Sequence, residues 1–421
     1  MSSASSPDAP PERRAIAASL LIVAAVGYNL PLAIINAHVV GLGRGAVIAV
    51  DALLIVAAMA LAAVRWRPEM TRWAAMILGF VLLSLVLSLL RQAFDPKSLR
   101  DTLMIAAFIM LGMTVERDAA RRLFVGLQIG IALVMLFEVS FPATYSEIVG
   151  TTRYLIATRG FIEENFFGDL ELFGTTRADD RYFLPQTGWI RASSIFLEPL
   201  SLGNYASFAM LGILLFWRDW RWPRRALMVA IWALVLVGSD GRFGLTSSLV
   251  ILVLSPLLAR LPTMLAFLYL PVAVVAARGA AILLDWNPLV DTFAGRLARG
   301  MKQLFRLDST DLSGFTIPTA ALADSGVAYF VVGQSLLGVL LFQAFVYLQP
   351  RLRTPDQRLM LHGNAVLFAM SILISISMLS IKTAALLWFF AGVSFGARPD
   401  TKRSVASVGD GPDLRLDSQP M

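Results

Sequence analysis

Long apolar runs broken by short polar stretches occupy most of the chain. Their cores fall at 15–38, 46–64, 73–90, 102–115, 123–141, 199–217, 226–238, 243–259, 264–284, 325–348, 359–380 and 383–396. Most approach the roughly 20 residues that carry an α-helix across about 30 Å of hydrocarbon. The pattern predicts an all-α fold, a polytopic integral membrane helical bundle of about twelve transmembrane helices. The fourth, seventh and twelfth runs are short, which is allowed where a helix lines a cavity inside the protein. There is no repeat of solenoid period and no pair of matching halves of the transporter kind.

The polar stretches set orientation. If the N-terminus is inside, the inner loops carry Arg65, Arg67, Arg72, Arg117, Arg121, Arg122, Arg218, Arg221, Arg224, Arg225, Arg260, Arg351, Arg353 and Arg358. The short outer loops carry only Arg44, Arg91, Lys97, Arg100, Arg242 and Lys382. That asymmetry follows the positive-inside rule and predicts two cytoplasmic termini. Residues 1–14 form a Ser/Pro/Ala-rich, disordered N-terminus, 15–397 a single transmembrane domain, and 398–421 a disordered polar tail. The long loops 142–198 and 285–324 then lie outside. Arg91, Lys97 and Arg100 fit the rule worst and need a local reason, of which ligand binding is one.

Composition narrows the class. The 421 residues are 57% hydrophobic and 15% charged, against roughly 25% charged in a soluble chain; mean hydropathy is +0.69. The net charge of +7 sits largely in short loops, so it predicts orientation in a membrane and not nucleic-acid binding. With no cysteine and only His38 and His362, disulfides, thiolate metal sites and a His-rich metal centre are excluded, and no metal or cofactor is expected.

Three constellations carry candidate chemistry. The first is Arg191-Ala-Ser-Ser-Ile-Phe-Leu-Glu198, which closes the first long loop and opens the sixth run. An ionisable group at a membrane boundary is costly unless it is partnered or faces a wet cavity. Arg191 and Glu198 are therefore either an interfacial salt bridge or site residues. The other arginines of that loop, Arg153, Arg159, Arg177 and Arg181, read as solvated. Its aromatics, including Phe161, Phe166, Phe167, Tyr182, Phe183 and Trp189, either dock it on the bundle or stack on sugar rings. The second is the turn Gly238-Ser-Asp-Gly-Arg-Phe-Gly244, the tip of a helical hairpin. Its glycines free the backbone, and Arg242 adds a planar cation at a helix start, where anions are favoured. An ordinary interfacial turn is the alternative. The third is Phe293–Arg306, where Arg296, Arg299, Lys302 and Arg306 fall within about 120° on a short amphipathic helix. That face suits either anionic headgroups or a pyrophosphate. Asp324 follows, as an N-cap or a base. In-span Asp51, Glu138 and Lys382 are expected to pair inside the bundle or to lie near its ends; Asn29, Asn36 and His38 are candidates to line the same cavity, with His38 read first as a satisfied interfacial histidine.

These stretches resemble the Wzy-type polysaccharide polymerase and O-antigen ligase superfamily. Arg191-Ala-Ser-Ser-Ile-Phe with Glu198-Pro-Leu-Ser-Leu-Gly-Asn-Tyr205 is similar to its entry to a span, and Ser239-Asp-Gly-Arg242 to its Ser-Arg turn with two residues inserted. Asp324-Ser-Gly is similar to its closing segment. The match runs best from about 185 to 348, nearest the xanthan- or sphingan-type exopolysaccharide polymerases. The resemblance implies a metal-independent, inverting glycosyltransferase at the periplasmic face of the bacterial inner membrane. It would join oligosaccharide repeats carried on undecaprenyl pyrophosphate into an exopolysaccharide or O-antigen chain. Arg191 and Arg242 would bind pyrophosphate, supported by Arg296 and Arg299 and by Arg91 or Lys97. Asp324 or Glu198 would engage the acceptor hydroxyl. The expected partners are the lipid-linked substrate, membrane lipids, a chain-length regulator and export machinery. The absence of a histidine from both long loops favours polymerase over ligase. A transporter or lipid flippase is the rival of another class, disfavoured because the polar groups collect at one surface.

Overall fold

The computed structural model describes residues 11–161, 170, 172–174, 190–290, 292–319, 322, 324–348 and 352–397, which form helices and turns with no strand among them. The helices are α1 Pro11–Gly27, α2 Asn29–His38, α3 Arg44–Ala63, α4 Thr71–Arg91, α5 Pro96–Met113, α6 Arg117–Ser140, α7 Pro142–Val149 and α8 Thr151–Arg159. They continue with α9 Pro199–Phe216, α10 Trp222–Ser239, α11 Arg242–Leu258, α12 Tyr269–Leu283, α13 Phe293–Leu304, α14 Ser309–Leu312, α15 Gly326–Tyr347, α16 Pro355–Ile372 and α17 Ile381–Gly396. Several of the expected site and loop residues, Arg177, Arg181, Phe166, Phe167, Tyr182, Phe183 and Trp189 among them, lie outside the described residues, as do the two chain ends at 1–10 and 398–421.

Every apolar run in the sequence has its helix, but seven are long and apolar enough to cross a membrane: α3, α4, α6, α9, α10, α12 and α15. Helices α1 and α2 make an eighth if their 59° bend lies within one span. The bend follows from Pro31, which has no N–H to offer the carbonyl of Gly27 four residues earlier. The difference from twelve lies in α5, α11, α16 and α17. Helices α11 and α17 have 17 and 16 residues, and α5 and α16 open on charged turns. From Asp101 to Met113 α5 is almost wholly buried, as is α17 from Ile381 to Ser394. A helix enclosed by other helices need not match the hydrocarbon thickness. Outward-facing apolar rows, such as Leu82, Leu85, Val86 and Leu89 on α4 and Val272, Val275 and Ile282 on α12, belong to the outer helices.

The centre depends on close approach of α5 and α17, which run in the same direction. A Cβ added at Gly112 would lie 2.0 Å from the Phe389 carbonyl oxygen, and one at Gly392 2.0 Å from that of Ile109. Small residues are what let two backbones meet this way. At one end of the bundle, arginines cap the carbonyls that finish α5, α9, α15 and α17. Arg65 donates to Thr114 O (3.1 Å), Arg117 to Leu215 O (2.6 Å), Arg72 to Phe345 O (2.8 Å) and Arg67 to Gly396 O (3.4 Å). Cations are stabilising at helix C-termini. The starts of the same four helices therefore gather at the opposite end, where the candidate site residues lie.

Gly392→Ala is expected to abolish folded protein, since an oxygen 2.0 Å from the new Cβ belongs to backbone that cannot move aside. Gly126→Ala, with open space at that position, is the matched tolerated change. Size-exclusion profiles of the detergent-extracted variants, read by a fluorescent tag, distinguish the two.

Candidate functional site

The turn that enters α9 is held from below by a buried carboxylate. Glu138 of α6 accepts the Ser193 amide at 3.0 and 2.8 Å, the Ser193 hydroxyl at 2.7 Å, and the Ser194 amide. Ser194 in turn donates to Ile131 O (2.8 Å), and the Tyr145 hydroxyl donates to Ser194 O (2.8 Å). Ser194 and Leu197 take positive φ, 49° and 60°, so the chain makes a tight corner that the carboxylate stabilises. Sequence spacing marked Glu138 as an in-span acid needing a partner. Its partners among the described residues are backbone amides and a hydroxyl, not a cation.

That corner brings the two motifs together. The Ala192 amide donates to Gly238 O at 2.7 Å. Arg191 donates to Gly174 O (3.0 Å) and Ser239 O (3.4 Å), and its Nε lies 3.9 Å from the Asp240 carboxylate. The hairpin tip between α10 and α11 is close-packed as well: Cβ atoms at Gly241 and Gly244 would meet Gly203 of α9 at 2.9 and 2.4 Å. Arg242 is the exposed first residue of α11.

Glu198, the N-cap of α9, is shared by two cations. Lys382 Nζ donates to Oε2 at 2.7 Å and to Phe196 O at 3.2 Å, and Ser201 Oγ donates to Oε2 at 2.9 Å. Arg159, the last residue of α8, pairs with Oε1. Burial alone would push the Glu198 carboxyl up, but Arg159 and then Lys382 outweigh it and hold it down at about 2. Helix α8 itself is anchored on the α1–α2 bend, where the Tyr154 hydroxyl donates to Asn29 Oδ1 at 2.8 Å.

A second ionic group adjoins the first. Arg100 bridges Asp51 of α3 and Asp101 of α5, both at 2.6 Å. Tyr329 of α15 donates to Asp101 at 2.9 Å, and Lys97 lies 4.2 Å above the Tyr329 ring. Arg159 acts electrostatically on Asp51, Lys97 and Lys382, which ties the two groups into one network.

The basic amphipathic helix of the second long loop is α13, with Arg296 half-buried on it. Arg299 donates to Pro288 O (3.0 Å) and to Asp324 (2.9 Å). Asp324 is not the cap of α15. Ser325 is, accepting from the Ala328 amide, which leaves the Asp324 side chain 43% exposed beside its arginine. Arg91 has backbone partners of another kind. It donates to the carbonyls of Gly314, Val332 (2.8 Å) and Gly333 (2.9 Å), where α15 is broken at Ser335. Arg91 is thus bonded to backbone at the position where the sequence suggested a pyrophosphate ligand. Arg100 is visible in the sequence as a charge that fits the positive-inside rule badly, Lys382 as an in-span cation expected to pair, and Arg159 as one loop arginine among five.

Among the described residues there is no group of three or more His, Cys, Asp or Glu side chains arranged to hold a metal ion. What remains is an end rich in paired charges, where α5, α9, α15 and α17 begin, and helix N-termini favour anions. No protein-family model, no curated protein and no solved structure matches this chain.

Two outcomes follow. Glu138→Gln places an amide N–H against the Ser193 and Ser194 donors, and each lost charge-assisted bond is worth about 1.5–3 kcal/mol. Faster hydrogen exchange at those two amides and new trypsin cleavage at Arg191 are expected. For Glu198 the folded value lies below the unfolded carboxylate value of roughly 4.3, so its contribution is complete above that value and is lost as pH falls towards about 2. The stability gap between wild type and Glu198→Gln should shrink as pH falls below about 4 in melts run downward from about pH 6.

Proposed function

We propose that this chain is a polysaccharide polymerase of the bacterial inner membrane, acting on oligosaccharide repeats linked to undecaprenyl pyrophosphate. All twelve apolar helices cross or enter the membrane, both termini are cytoplasmic, and the end holding Arg191, Glu198 and Asp324 faces the periplasm. The observation that carries the reading is the gathering of cations at one end of an apolar bundle. Lys97, Arg100, Arg159, Arg191, Arg299 and Lys382 meet there, beside the starts of four helices. An anionic lipid headgroup meets such a surface while its chain stays in hydrocarbon.

In the proposed reaction an acceptor hydroxyl attacks the anomeric carbon of the donor sugar. The bond to the pyrophosphate oxygen breaks with inversion, and lipid pyrophosphate leaves. The departing negative charge needs fixed cations, a role for Arg191 and Arg242 with Arg296, Arg299 and Lys97 around them. The hydroxyl proton needs a base within hydrogen-bond reach. Asp324 suits that role better than Glu198, because its side chain is exposed and has one cationic partner where Glu198 has two. No metal step is required. A chain-length regulator and export machinery are the proposed partners.

The test is the glycan profile of a deletion strain complemented with wild type, Arg191→Ala, Arg242→Ala or Asp324→Asn, with membrane abundance matched. Single lipid-linked repeats without long polymer are expected from each variant. Polymer of normal length retained on its lipid would mark a ligase, and repeats trapped at the cytoplasmic face a flippase. Normal polymer from all three variants would remove the proposed site.

A further inference from the structure

The expectation for Glu198 was a base, but the geometry gives it other work. Lys382 is 3% exposed and needs a counter-ion, which Glu198 Oε2 supplies at 2.7 Å. Its other oxygen is occupied by Arg159, whose side chain is 33% exposed. Both oxygens of one carboxylate are therefore engaged by cations of different kinds. One cation is buried in the bundle on α17. The other stands at the end of a loop helix, with its remaining N–H groups making no ion pair among the described residues. The neighbouring carboxylates do not complete the set: Asp51 and Asp101 are bridged by Arg100. Arg159 is also the last residue of α8, and Gly160 after it takes φ 70°. Tyr154, one turn earlier, fixes α8 on the bundle through Asn29.

We propose that Arg159 is a pyrophosphate-binding arginine of this site, and that Glu198 is a positioning residue that aims it, with Lys382 as the permanent counter-ion of Glu198. The inference rests on the reading of the site given above. Glu198 Oε1 holds the Arg159 guanidinium through Nη1 alone and leaves its other N–H groups for a second anion. Lys382 keeps the carboxylate in place whether or not the arginine is engaged by a ligand. This arrangement couples α8 to the central helices α9 and α17 through one side chain.

The two roles of Glu198 have opposite consequences for anion affinity. If the carboxylate were only a negative charge near the ligand, neutralising it would strengthen anion binding. If it aims Arg159, neutralising it weakens binding although the site gains net positive charge. The experiment is calorimetric titration of the full chain in lipid nanodiscs with two probes, inorganic pyrophosphate and geranylgeranyl pyrophosphate. Wild type is expected to bind both, the prenylated probe more tightly. Arg159→Gln should weaken binding about tenfold, the loss of one charge-assisted contact. Arg159→Lys, which keeps charge without the fork, should fall between. Glu198→Gln should weaken binding severalfold, and Glu198→Asp should restore part of it. Melting temperatures of the two conservative variants separate misfolding from lost binding. Wild-type affinity in Arg159→Gln, or tighter binding in Glu198→Gln, would overturn the proposal while leaving the polymerase reading intact. A wild-type chain that binds neither probe would overturn both. Equal wild-type affinity for the two probes, lost in Arg159→Gln, would support the arginine and reassign the ligand from a lipid headgroup to a free phosphate.

Discussion

An ammonium group buried among apolar helices must have a carboxylate beside it, and Lys382 has Glu198. Removing an ion from water costs several kcal/mol even after relaxation, and a partner left alone is worse than no pair at all. The requirement is met for each buried ion at this end of the bundle. Arg100 sits between Asp51 and Asp101. Glu138, which has no cation, is stabilised by backbone and hydroxyl donors from a corner 55 residues away. The partners come from α3, α5, α6, α8, α9 and α17, so satisfying the ions also decides where those elements meet. The polar chemistry and the shape of this end are therefore one constraint.

Helix direction sharpens it. Helices α5, α9, α15 and α17 point the same way, with their final carbonyls bonded by arginines at the far end. Their first turns, whose amides lack intrahelical partners, all face the site. Parallel neighbours align their dipoles unfavourably, and something must compensate. The arginines do so at one end. At the other, Glu198 at the N-cap of α9 and Asp95, which accepts the first amides of α5, supply negative charge. The glycine contact between α5 and α17 makes the parallel pair possible by letting backbone touch backbone.

The apolar pattern located these helices closely: the run 325–348 is α15 Gly326–Tyr347, and the gap at 239–241 is the hairpin tip between α10 and α11. It also puts Arg191 and that tip at one surface, because order and span direction alone bring the two turns to one end. Partners were the part it left out. Arg159 meets a carboxylate 39 residues later and Lys382 one 184 residues earlier. Nothing local distinguishes a loop arginine with such a partner from one facing water. The number of spans is not legible in the pattern for a related reason. An apolar run looks the same whether lipid or protein surrounds it, and α5 and α17 are surrounded by protein.

Arg91 shows how a backbone feature can stand behind an anomaly of charge. Ser335 takes φ 63° and ψ 165° inside α15, a conformation natural to glycine, at a cost of about 1–3 kcal/mol for other residues. The break deprives the carbonyls of Val332 and Gly333 of the amides that an unbroken helix would offer four residues on. Arg91 donates to both and to Gly314, which packs against Ser335, while the Ser335 hydroxyl accepts the Gly338 amide and restarts the helix. A break in an apolar helix is tolerable only when its freed groups are satisfied this fully. Its effect is to re-aim the first two turns of α15, which carry Tyr329 onto Asp101 and begin beside the Asp324–Arg299 pair. Arg91, half-buried, thus has backbone carbonyls as its hydrogen-bond partners at the break.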